Sequence, residues 1–149
     1  MVDAGPADTV VVGFHEEFDY LGLTAGMQAV LGGARILATN DDVSFPSQDG
    51  LRPGAGSLLA ALVAATGATP EIAGKPYAPM CDLIRELAGE AGVMVGDRPG
   101  TDGRFPRARG WRWSSVLSAR TGPDDLTVAP SPAHPSHINQ PTPGPCRPR

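Results

Sequence analysis

The sequence predicts an α/β protein with parallel strands, followed by a disordered proline-rich tail. Three observations carry this. Short apolar runs rich in β-branched residues recur along the chain, and segments with helical apolar spacing separate them. Glycine or proline marks most junctions. Of 16 prolines, eight lie between Pro123 and Pro148, where apolar side chains are few. Such a stretch cannot bury enough surface to offset its ordering entropy, so residues 127–149 are expected to be disordered.

The elements follow in order. Residues 9–13, TVVVG, read as a buried strand. In the next segment Leu23, Met27, Val30 and Leu31 fall at helical spacing, Asp19 can cap the start, and Gly32-Gly33 can end it. Residues 35–39, RILAT, are a second strand, and residues 40–56 are rich enough in turn formers to read as a long loop. Residues 57–66 are a second helix stopped by Gly67, and 71–73 a third, weak strand. Pro76 and Pro79 suit a helix first turn, after which Met80, Leu83, Ile84 and Leu87 mark one apolar face. Residues 92–95 are a fourth strand, a helix is weakly indicated over 102–109, and 112–118 are a fifth strand.

Composition bounds the function. The length of 149 residues fits one ordinary domain, and a net charge of -4 gives no reason to expect a nucleic-acid partner. No apolar run is long enough for a membrane helix, and the start, MVDAGPAD, does not resemble a signal peptide. Two cysteines, Cys81 and Cys146, make neither a disulfide framework nor a zinc site, which points to a reducing cytoplasm.

Ligands of open parallel sheets collect beyond the carboxyl ends of the strands. Asp97 and Asp102 stand there, just after strand 92–95. Two carboxylates on one loop suit Mg²⁺, which prefers oxygen ligands and takes only one or two from protein. A turn-stabilising role, or an ion pair with Arg98, explains the same spacing. Lys75, the chain's single lysine, stands between a strand end and a helix start, where it can reach a phosphate. A solvated surface lysine is the alternative.

Four stretches in order, TNDDVSFP (39–46), DGLRPGAGS (49–57), GKPYAPM (74–80) and VMVGDRPGTD (93–102), resemble the haloacid dehalogenase (HAD) superfamily. They are most similar to its branch of 4-nitrophenylphosphatases, phosphoglycolate phosphatases and pyridoxal phosphatases. The resemblance implies a partial Rossmann-like core and the later part of an α/β cap. Residues 1–70 would be cap, 71–126 the final part of the core, and 127–149 the tail. It implies Mg²⁺-dependent hydrolysis of a small phosphorylated metabolite through an aspartyl-phosphate. Asp97 and Asp102 would serve the metal, Lys75 would steady the nucleophile and phosphate, and Asn40 and Asp42 would lie in the cap loop that closes over substrate.

The family's nucleophile motif, Asp-x-Asp-Gly-Thr, does not occur: Asp3-Ala4-Gly5, Asp41-Asp42-Val43 and Asp124-Asp125-Leu126 all fail to match. The motif's phosphate-binding Ser or Thr is not found either. The expectation is a C-terminal portion with little or no turnover alone. The alternative is a non-catalytic fragment or small α/β module that binds Mg²⁺ or phosphate; a receiver-like domain fits less well, for want of a suitable acceptor aspartate. A truncated start and a replaced end, as a shifted reading frame would produce, would leave strand edges and apolar faces exposed, favouring aggregation or a homodimer. An intact nucleophile motif in another frame of the upstream DNA would support that reading, and its absence would count against it. Other departures are Asp41 where the family often has proline, Tyr77 where it has serine, Pro99-Gly100 in the metal loop, and Pro106 in the following helix, which costs roughly 3 kcal/mol. His15 reads as surface loop, His134 and His137 as solvated, and Trp111 and Trp113 as packing residues.

Overall fold

The computed structural model describes residues 6–104, 111–117 and 137–139. The chain divides into two compact units, Met1–Pro79 and Met80–Arg149.

In the first unit, β1 (Thr9–Val12), α1 (Tyr20–Leu31) and β2 (Arg35–Ala38) come first, then β3 (Ser44–Ser47), β4 (Gly50–Pro53), α2 (Ala55–Thr66) and β5 (Glu71–Ile72). The main sheet is parallel, in the order β1-β2-β5, with Val10 opposite Ile36 and Ala38 opposite Ile72. Ile36 and Ala38 of the central strand are buried with Leu59 and Leu62 of α2, and Val10, Leu23, Met27 and Val30 pack against them. Burying a side chain such as Ile36 stabilises by about 1.5–3 kcal/mol. Leu31, expected on the same face, is exposed instead. Asp19 caps α1 as expected, its Oδ1 accepting from the Gly22 amide at 2.7 Å. Gly67 ends α2 in the left-handed conformation, φ 68°, which glycine adopts without a Cβ penalty. This unit includes β5 and the Lys75 turn.

Residues 40–56 are not simply loop. β3 and β4 form an antiparallel hairpin, Ser44 opposite Pro53 and Ser47 opposite Gly50. Its strands carry Pro46 and Pro53, which an isolated two-stranded ribbon tolerates because one side of each strand needs no ladder. Ser47 fixes the turn, its Oγ donating to the Gly50 carbonyl at 2.9 Å. Phe45 stacks edge-on against Phe14, centroids 5.0 Å apart.

α3 (Ala78–Ala88) runs across the division between the units. Cys81 is its buried residue, while Leu83 and Leu87 of the expected apolar face are exposed. The second unit's sheet is parallel, in the order β6 (Val93–Gly96), β7 (Arg112–Val116), β8 (His137–Asn139). β8 corrects the expectation of an uninterrupted disordered tail: Ser114, Ser115 and Val116 pair with His137, Ile138 and Asn139. The three residues lie between Pro135 and Pro141, so each keeps an amide for the ladder. The rest of residues 127–149, most of the helix expected over 102–109, Pro106, and the motif candidates at Asp3 and Asp124 lie outside the described residues. Trp113 is buried and Trp111 lies over Gly92, the packing role expected of both.

Candidate functional site

In the first unit the loop at 39–43 follows the carboxyl end of β2, and the turn at Gly74–Tyr77 follows the carboxyl end of its neighbour β5. The two therefore share one edge of the sheet, the edge where parallel sheets hold ligands. Three glycines press the loop into shape. A Cβ on Gly74 would collide with the Thr39 carbonyl oxygen, one on Gly54 with that of Asp42, and one on Gly56 with that of Asp41. Hydrogen bonds complete the clamp. The amide of Gly56 donates to the Asp42 carbonyl at 2.9 Å, and the Ser57 hydroxyl to the Val43 carbonyl at 2.6 Å.

Within the loop, Asn40 Oδ1 accepts from the Asp42 amide at 3.1 Å, an Asx turn that uses this side chain to shape the backbone. Asp42 and Lys75 are half-buried. The Tyr77 hydroxyl donates to Asp41 Oδ2 at 2.5 Å. Asp41 and Tyr77 are two of the positions at which the chain departs from the pattern it resembles, and they meet each other. The phenol thus ties the Lys75 turn to the 39–43 loop. No local pattern in the sequence joins these residues, which stand 36 positions apart.

In the second unit, Asp97 directly follows the carboxyl end of β6, and the chain turns back through Arg98–Gly103. The amides of Thr101 and Gly103 both donate to the Arg98 carbonyl, at 3.3 and 3.1 Å. This closed turn returns Asp102 to the strand end. Its carboxylate is buried, packs on Gly96 where any Cβ would collide, and accepts from the Arg98 amide at 3.2 Å through Oδ2. Asp97 is half-buried. The structure thus brings the two expected metal residues together on one loop, while Lys75, Asn40 and Asp42 belong to the first unit.

Two carboxylates on one loop offer hard oxygen donors, which would suit Mg²⁺ or Ca²⁺ and not a soft metal. Among the described residues no three His, Cys, Asp or Glu side chains form a ready metal cage. An ion held here would take one or two carboxylates and complete its shell with water or substrate.

A hydrolase family model described as HAD-hydrolase-like matches residues 72–140. The chain is 36% identical to a dihydroxyacetone phosphatase of Corynebacterium glutamicum, over 93% of this chain and 50% of the relative. Its fold matches a 4-nitrophenylphosphatase of Thermotoga maritima with a TM-score of 0.82 at 34% identity, covering 93% of this chain and 54% of the other. It also matches a glycerol phosphate phosphatase of Mycobacterium tuberculosis, solved in complex with magnesium, with a TM-score of 0.80 at 34% identity, covering 89% of this chain and 41% of the other. The chain thus spans about half the length of the first of these.

Proposed function

Because this chain belongs to the HAD-like hydrolases, we propose that it carries the metal-binding and phosphate-steadying part of a phosphatase for small phosphate monoesters. The observation that carries the proposal is the Asp97/Asp102 pair, folded back onto the carboxyl end of β6 by the closed turn at Arg98–Gly103. The relatives named for dihydroxyacetone phosphate, glycerol phosphate and 4-nitrophenyl phosphate activities make a short phosphorylated polyol or aryl phosphate the first substrate class to try.

In this reading Asp97 and Asp102 hold Mg²⁺, which supplies positive charge against the phosphoryl oxygens when bound. Lys75 offsets phosphoryl charge. The 39–43 loop presents Asn40 and Asp42 on a backbone fixed by glycines. Attack on phosphorus needs a carboxylate nucleophile and an acid–base partner. No Asp-x-Asp-Gly-Thr occurs among the 149 residues. In this reading an added segment that bears such a nucleophile would restore turnover. Among the described residues no helix is long and apolar enough to cross a membrane, and the cysteine content fits a cytoplasmic location.

The test is hydrolysis of 4-nitrophenyl phosphate by the purified chain, with and without Mg²⁺, alone and with the nucleophile-bearing segment of a relative, beside Asp97→Asn. Metal-dependent turnover that appears on complementation and vanishes in the variant supports the proposal. Turnover that ignores Asp97→Asn sinks it. The absent motif favours a second reading, a binding module without catalysis; Mg²⁺ binding that depends on Asp97, with no turnover under either condition, would select it.

A further inference from the structure

β7 is the central strand of the second sheet, and its buried residues are Trp113, Ser114 and Ser115. Ser115 is 0% exposed, yet its Oγ has no hydrogen-bond partner among the described residues. A buried hydroxyl in that state is unfavourable, and an apolar residue would suit a packed strand better. Its position says what it faces. Ser115 pairs in parallel register with Gly96, the residue before Asp97. Registered neighbours in a sheet carry their side chains on the same face. On that face the space beside Gly96 is filled by the Asp102 carboxylate, since a Cβ there would collide with it. Trp113, two residues earlier on the same face, has its ring against Gly103, the residue after Asp102. One face of β7 therefore lies against the Asp102–Gly103 turn, and Ser115 stands on that face in register with Gly96.

We propose that Ser115 is a positioning residue whose hydroxyl steadies the Asp102 end of a divalent-cation site. This rests on the reading of Asp97 and Asp102 as the metal carboxylates. Partners of this kind, which orient a ligand without touching the ion, govern affinity strongly.

The test uses the full chain and Mn²⁺ as the probe, with free Mn²⁺ followed by electron paramagnetic resonance and Mg²⁺ added as competitor. Thermal melts are recorded without cation. Ser115→Ala is expected to weaken Mn²⁺ binding by about tenfold or more, while the cation-free melt stays unchanged or rises. Asp97→Asn is expected to abolish binding. Unchanged affinity in Ser115→Ala, with loss in Asp97→Asn, overturns the role of Ser115 and leaves the metal reading intact. Unchanged affinity in both overturns the metal reading and this inference with it. A fall in both affinity and cation-free stability in Ser115→Ala also overturns it, since that is the mark of a structural residue.

Discussion

The central strands of the two sheets make a useful contrast. β2 buries Ile36 and Ala38 against apolar residues of α2 and its neighbours. β7 buries a tryptophan and two serines, with the Trp113 indole Nε1 and the Ser115 hydroxyl lacking partners among the described residues. Polar contacts of the first sheet are made by exposed side chains, Arg35 Nε donating to Thr9 Oγ1 at 3.1 Å and pairing with Glu71, and Asn40 and Asp41 make hydrogen bonds in the 39–43 loop. One central strand thus buries only apolar side chains and keeps its charged residue, Arg35, on the surface. The other admits polar groups into the strand itself, beside the acidic turn. The difference teaches that the burial of polar groups is a property of the strand: β2 excludes them from its core positions, and β7 buries two serines.

Substitutions can break or sharpen that contrast. Ile36→Ala should have the largest effect, lowering stability by about 2–5 kcal/mol in urea unfolding, because it opens a cavity in a packed core. Gly56→Ala comes next. Its methyl would meet the Asp41 carbonyl, so a loss of about 1–3 kcal/mol is expected, read by the same unfolding curve. Asp19→Ala removes a cap from α1 and should cost about 1 kcal/mol, visible as a lower melting temperature. Ser115→Ala should have the smallest effect on cation-free stability, within about 0.5 kcal/mol or slightly stabilising, since no hydrogen bond is lost. If Ser115→Ala destabilised as much as Ile36→Ala, β7 would be an ordinary packed strand and the contrast would dissolve.

Legibility in the sequence follows the same division. β1, α1, β2 and α2 were readable because their apolar periodicity agrees with their glycine stops, and Asp19 announced its cap. The β3–β4 hairpin was not, because SFPS and GLRP lack alternation; it is held by its turn and by Phe14 packing on Phe45. β8 was not, because three residues among prolines gain their strand character only by pairing with β7. Asp97 and Asp102 stood out because two carboxylates after a short apolar run are a local pattern. Tyr77 with Asp41, and Ser115 beneath Asp102, are tertiary relations that leave no local trace.

The glycine clamp has a consequence for how such a protein can change over generations. Gly54, Gly56 and Gly74 fix the path of the 39–43 loop from outside, by leaving no room for any other path. The loop's shape is thus inherited separately from the side chain it presents at position 41. A side chain at position 41 can therefore be exchanged at little cost to the loop's course, whereas any Cβ at the three glycines must displace a carbonyl.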